Sequence, residues 1–162
     1  GIIDLVDNIT GTGADLGQIA AAVDLVGVLT NMVILPEIAL THYLISVPVL
    51  KAHSLADITG TLKNMMGLLP PGHYGRKGGA WRKADFHADL HRNISELNAC
   101  RAPDLSIMDA SVGLASFHLG GPHCQPPAAR ILAGDDPLDL DRKAAGLLGL
   151  DWRQIPHLSA HR

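Results

Sequence analysis

Lys51 and His53 flank a single alanine at the end of an apolar run, and Lys63-Asn64 follow about ten residues later. Loops past the carboxyl ends of buried strands are where open α/β sheets bind ligands. A lysine and a histidine there can hold an anion or move a proton. The plainer alternative is a solvated lysine and a loop histidine. Lys63 and Asn64 fall among apolar neighbours at helical spacing, which argues against a plain surface for that pair. Asp109 ends a later strand-like run, and Asp135-Asp136 follow another. Carboxylates on that edge suit Mg²⁺ or another hard cation. Asp136 also suits a helix cap, and Asp141 a complement to the same helix's N-terminal dipole.

Two further constellations carry weaker chemistry. In Asp85-Phe86-His87-Ala88-Asp89-Leu90-His91, a helix would put His87 and His91 one turn apart, as two metal-ligating imidazoles require. Position 88 is alanine, so the zinc-protease pattern with its general-base glutamate does not hold. A solvated helix face is the better explanation of the pair unless a third ligand comes from His53, His73, His118, His123 or Cys124. Gly120-Gly121 precede Pro122-His123-Cys124. Paired glycines permit an anion-binding nest for a cofactor, or just a tight turn. Gly11-Thr12-Gly13 lacks the third glycine of a dinucleotide fingerprint and the Lys-Ser/Thr of a phosphate loop.

The elements that must position these groups alternate. Residues 2–6, 25–34, 43–47, 105–109 and 129–133 read as strands. Pro48 ends regular pairing because it lacks an N–H, and 49–54 reads as the loop beyond. Residues 36–40 suit a short helix with Pro36 in its first turn. A helix is expected over 55–68, with Gly60 as its weak point and Pro70-Pro71-Gly72 as its stop. Another runs 86–100, with Phe86, Leu90, Ile94 and Leu97 on one face. The last runs 138–148, with Pro137 at its first turn and Gly149 at its end. Residues 73–83 are a basic, glycine-containing loop, and 113–127 another loop. Strand–helix alternation gives an α/β fold: one domain over 1–162, with a mostly parallel sheet flanked by helices in a three-layer-like arrangement.

Composition removes several function classes. Charged residues make up 18%, below the roughly 25% of ordinary globular chains, and the net charge is −3. A basic excess for nucleic acid or an acidic membrane is therefore lacking. Cys100 and Cys124 are the only cysteines, too few for a disulfide scaffold, a zinc ribbon or an iron–sulfur cluster held by this chain itself. No apolar run is long enough to span a bilayer, and no signal-peptide pattern opens the chain. The expected location is cytoplasmic.

Several segments together resemble a known family. Leu44-Ile45-Ser46-Val47-Pro48-Val49-Leu50-Lys51-Ala52-His53 is similar to its strand, Pro, Lys-x-His signature. Thr61-Leu62-Lys63-Asn64-Met65-Met66-Gly67 is similar to its Leu-Lys-Asn-x-x-Gly helix. Residues 103–109 and 131–141 are similar to its later strands and helix. The family is the domain of unknown function 362, often found with ferredoxin-like iron–sulfur modules, and the similarity runs over roughly 34–158. It implies a prokaryotic α/β domain in a redox or anaerobic setting. It also implies a longer N-terminal half, so that this chain corresponds to the family's C-terminal two-thirds.

Two functional expectations follow. In the first, the domain is enzyme-type. Lys51, His53, Lys63, Asn64 and Asp109 form an anionic-ligand or proton-transfer site, Gly120-Gly121 contribute a cofactor nest, and His87/His91 support a divalent metal. In the second, the domain is a non-catalytic module, and the basic stretch Arg76–Lys83 docks an acidic ferredoxin-like partner.

Overall fold

A computed structural model describes residues 35–69 and 84–159. The strands expected at 2–6 and 25–34 and the basic loop at 73–83 lie outside the described residues. The chain divides into two compact units, one built from residues 1–42 and 67–89, the other from 43–66 and 90–162.

In the described part of the first unit, α1 (Glu37–Thr41) follows Pro36, whose extended backbone (φ −62°, ψ 136°) turns the chain into the helix. The fixed φ of proline suits that position. The other element is a 3₁₀ turn at Ala84–His87.

The second unit carries the sheet: β1 (Ile45–Ser46), β2 (Val49–His53), β3 (Asp57–Thr59), β4 (Leu105–Leu114) and β5 (Arg130–Gly134). Its helices are α2 (Thr61–Asn64), which tightens into a 3₁₀ turn at Met65–Leu68, α3 (Leu90–Cys100), α4 (Pro137–Leu147) and α5 (Pro156–Ser159). The fold class is α/β, with an open mixed sheet. β1 and β2 both run parallel to β4, and β3 and β5 add antiparallel edges to β2 and β4.

Register explains the role of Pro48. Ile45 pairs with Leu105, Ser46 with Ser106 and Val49 with Asp109, the same sixty-residue offset on both sides of the proline (105 − 45 and 109 − 49). β1 and β2 thus follow one line along β4. Pro48 cannot donate, but its carbonyl accepts from the Asp109 amide at 2.9 Å. The ladder is interrupted there rather than ended, and Lys51 and His53 stand on a strand instead of the expected loop. Past Val49 the offset changes, Lys51 pairing with Leu114. β4 accommodates the shift near Gly113, whose φ of +74° is open to glycine at little cost.

The expected helix over 55–68 is mostly absent. The chain instead makes a hairpin, β2 to β3, with His53 opposite Asp57, and only then a short helix. The expected helix over 86–100 is likewise interrupted: residues 88–89 are a turn, and the regular helix starts at Leu90. α4 begins one residue before its expected start, with the Asp136 carboxylate accepting from the Leu138 and Asp139 amides at 2.9 and 3.0 Å. Gly149 (φ +74°) follows it in the left-handed conformation that stops helices.

Strand alternation sorts the faces. Leu50, Ala52, Met108 and Ala110 point into the core, where Leu62, Ile94, Leu97, Leu140, Ala144 and Leu158 of the helices are also buried. Each fully buried leucine or isoleucine of this set contributes about 1.5–3 kcal/mol. The opposite face carries Ile45, Val49, Ile107 and Ile131, all exposed. Among the described residues, no helix is long and apolar enough to cross a membrane.

Candidate functional site

The hairpin turn after β2 fixes the first component. His53 is buried, and its Nδ1 accepts from the backbone amides of Leu55 and Ala56, both at 3.1 Å. Two amide donors on Nδ1 leave the ring proton on Nε2. His53 therefore clasps its own turn and can act only as a donor while the turn is closed. Asp57, the next residue after the turn, has φ +59°, a left-handed conformation that Asp tolerates better than most residues.

The second component is carried by α2. The helix starts at Gly60, which has no capping side chain. Its cap comes from α4 instead. Asp141 is fully buried, and its two carboxylate oxygens accept from the Thr61 and Leu62 amides at 2.7 and 2.8 Å. A Cβ on Gly60 would overlap that carboxylate, which is why glycine stands there. Burial raises the Asp141 carboxyl to about 6, against the lowering effect of the Leu62 and Thr61 amides. At the far end, Asn64 donates to the Ser46 hydroxyl at 3.1 Å. From the α3 side, Asn98 donates to the Leu62 carbonyl at 2.9 Å. Lys63 thus projects from a helical turn held at three points.

Lys63 is half-buried, and its ammonium is pushed below the ordinary lysine range first by burial and then by the charge of Lys51. Lys51 lies half-buried on β2. Among the described residues, neither lysine forms an ion pair. The third component is His118. Its ring stacks on that of His53, with centroids 3.8 Å apart and planes 14° from parallel. The His118 ring is held below the ordinary imidazole range by burial, then by Lys63, then by Lys51. Its Nδ1 is buried with no hydrogen-bond partner among the described residues.

The loop carrying His118 is built by Gly120 and Gly121. Gly120 has φ +101°. The Gly121 amide donates to the Phe117 carbonyl at 3.0 Å, and a Cβ on Gly121 would strike the Phe117 backbone. The Gly121 amide is therefore committed within the turn. The two glycines shape the loop that brings His118 to His53, where a cofactor nest had been expected.

Asp109 stands in the middle of β4, exposed, between Val49 and Ile131. Its carboxylate accepts from the Ser111 amide at 2.8 Å. The Ser111 hydroxyl and amide hold its carboxyl below the usual range, and no lysine contributes to that lowering. Of the expected site residues, the structure groups Lys51, His53 and Lys63. Asn64 braces the helix of Lys63, and Asp109 stands apart.

His91 has partners other than His87. Its Nδ1 is 2.8 Å from Nδ1 of His157, and its Nε2 is 3.7 Å from the Asp57 carboxylate. His87 belongs to the 3₁₀ turn at Ala84–His87, outside the regular helix of His91. Among the described residues, no group of three or more His, Cys, Asp or Glu side chains is arranged to hold a metal ion. The basic stretch expected to meet an iron–sulfur partner lies outside the described residues.

Sequence reasoning missed His157, and assigned Asp141 to its own helix's dipole. A signal for Asp141 was present: with Ala144 and Ala145 it sits at i, i+3 and i+4 on the apolar stripe of α4. The sequence offers His118 only as a spare metal ligand, because stacking on a residue 65 positions away (118 − 53) leaves no local trace.

A family model described as "Domain of unknown function (DUF362)" matches residues 7–146. The match starts well before the boundary near residue 34 that the motifs had suggested. The chain is also similar to the thylakoid-associated protein sll1697 of Synechocystis sp., with 32% identity over 121 residues. That alignment covers 72% of this chain but 35% of the relative, so the chain spans about a third of the relative's length. No solved structure matches the chain.

Proposed function

For this chain, which belongs to the domain of unknown function 362 family, we propose an enzyme-type role: holding the carboxylate or phosphate group of a small substrate between Lys51 and Lys63. The observation that supports this reading is the pairing of two half-buried lysines whose charges oppose each other, with no carboxylate between them among the described residues. Cations gathered away from bulk water without a counter-ion are an unfavourable arrangement for the empty protein. An incoming anion relieves it. Partial exclusion of water also strengthens each lysine–anion contact relative to an exposed pair.

The neighbouring groups suit such a substrate. His118, held toward the neutral form by burial and by the two lysines, presents a buried ring nitrogen with no partner among the described residues. The stacked His53 ring supplies a flat wall. Lys63, lowered from the usual lysine range, is shifted in the direction a general base requires. Anion binding reverses that shift and couples to proton uptake by Lys63 and His118.

The test is calorimetric titration with inorganic phosphate and with acetate, in two buffers of different ionisation heat. Saturable binding with proton uptake, lost in Lys51→Met and Lys63→Met, supports the reading. Absence of binding by either anion, or binding unchanged in both variants, overturns it.

A further inference from the structure

We propose that Asp57, His91 and His157 form a proton relay leading from solvent to the buried Nε2 of His157, near Lys63. The geometry is a chain of three groups on three elements. Asp57, at the start of β3, is about half exposed, with side-chain exposure of 48%, and its carboxylate faces Nε2 of His91 at 3.7 Å. His91, in the first turn of α3, has 25% of its side chain exposed, and its Nδ1 lies 2.8 Å from Nδ1 of His157. His157, on α5, is 3% exposed, and its Nε2 is buried with no hydrogen-bond partner among the described residues.

The carboxylate selects the tautomers. At 3.7 Å the Asp57 carboxylate stands beyond hydrogen-bond length, but its charge favours the tautomer of His91 that turns an Nε2 proton toward it, which leaves a lone pair on its Nδ1. The 2.8 Å contact between the two Nδ1 atoms needs one proton, so His157 supplies it and its own Nε2 is a bare lone pair. An imidazole in water prefers the opposite tautomer, so this assignment is a distinctive one. A proton arriving at Nε2 of His157 displaces the Nδ1 proton of that ring onto Nδ1 of His91. His157 ends neutral, with its proton on Nε2. The positive charge ends on His91, facing Asp57. No bond other than N–H is made or broken, and no oxidant or reductant is involved.

The surrounding charges favour this direction. His157 is pushed down to about 3, by burial first and then by the His91 and Lys63 charges, so a cation does not rest on the inner ring. On α4, Arg142 donates to the Leu158 carbonyl at 3.0 and 2.7 Å. Arg142 and Arg153 both lie over the Trp152 ring, at 4.3 and 4.7 Å. Asp57 is the one acidic group placed against His91 among the described residues. Service of a substrate at Lys63 rests on the anion-site reading; the relay itself does not.

The experiment is ¹⁵N-histidine NMR on the whole chain, with no ligand added, from pH 8 down to the onset of acid unfolding. The expected result is a His157 ring protonated on Nδ1 at high pH. As the pH falls and the pair takes up a proton, the His157 proton moves to Nε2 while that ring stays neutral. Asp57→Asn, which keeps a residue tolerant of left-handed backbone, removes the fixed tautomer. A His157 ring protonated on Nε2 at every pH, or one that becomes cationic in step with His91, overturns the relay. The wild-type spectra decide this alone if the variant fails to fold. Failure of phosphate and acetate to bind would remove the anion site and leave these spectra unaffected.

Discussion

The rings of His53 and His118 lie 3.8 Å apart and nearly parallel, joining the β2–β3 turn to the loop that follows β4. His53 holds its turn through two amide bonds, while His118 has a buried nitrogen without a partner among the described residues. Two side chains of one type in one stack therefore have different tasks. His53→Ala strands two backbone donors and is expected to cost about 1–3 kcal/mol. His118→Ala breaks no such bond and is expected to cost less, while weakening phosphate binding. Urea unfolding of both variants, with a phosphate titration of the second, checks the division. Equal destabilisation by the two substitutions would contradict it.

Lys63 is expected to oppose stability in the empty protein. Its folded-state proton affinity is lowered, so the unfolded chain binds more protons in the window just below the ordinary lysine value of 10.5. Stability from this group therefore rises with pH through that window. Lys63→Met is expected to raise the melting temperature at pH 7 and to flatten that alkaline rise. It is also expected to lose the stabilisation that phosphate gives the wild type, about 2.7 kcal/mol when the anion is at one hundred times its Kd. Melting curves with and without phosphate test all three.

Gly60 and Asp141 are expected to be energetically coupled. Asp141→Ala leaves the Thr61 and Leu62 amides buried without acceptors, at about 2–4 kcal/mol. Gly60→Ala drives a methyl group into the carboxylate. Once the carboxylate is gone, that methyl has room. In a double-mutant cycle, Gly60→Ala should cost at least about 1 kcal/mol less in the Asp141→Ala background than in the wild type. Strict additivity would show that the two do not meet.

Asp141 also sets a pH dependence of the opposite sense to most carboxylates. Its carboxyl is raised from 3.8 to about 6, so the folded state holds that proton to higher pH than the unfolded state. Stability from this group is greatest below about pH 4, falls as pH rises through about 6, and is level above. The full span is about 3 kcal/mol. The difference in unfolding free energy between wild type and Asp141→Asn, followed from pH 4 to 8, should trace that fall. A flat difference would remove the assignment.

Elements whose causes are local were legible in the sequence. Asp136-Pro137 announced α4, Gly149 its end, and the spacing of Leu90, Ile94 and Leu97 the buried face of α3. The Lys51, His53 and Lys63 grouping was legible too, because one short hairpin and helix carry all three. What failed depends on distant partners. The segment 55–68 has helical spacing, but His53 closing on the Leu55 and Ala56 amides redirects it into a hairpin. Pro48 reads as a strand end, yet its carbonyl still serves β4. Gly60 reads as a flaw in a helix, yet it makes room for a cap from Asp141. The expected metal pair rested on continuing one helix through residues 88–89, where the chain turns instead.

The cap on α2 also orders the events of synthesis. Lys63 is made long before Asp141, the acceptor for the Thr61 amide 80 positions away. Until α4 has emerged and docked, the turn that holds Lys63 has no acceptor for its first amides, and a four-residue helix does not persist alone. A nascent chain therefore carries every residue of the proposed anion site before it can form that site. On the proposed reading, binding competence arrives with α4, so phosphate affinity during translation would report the docking of that helix.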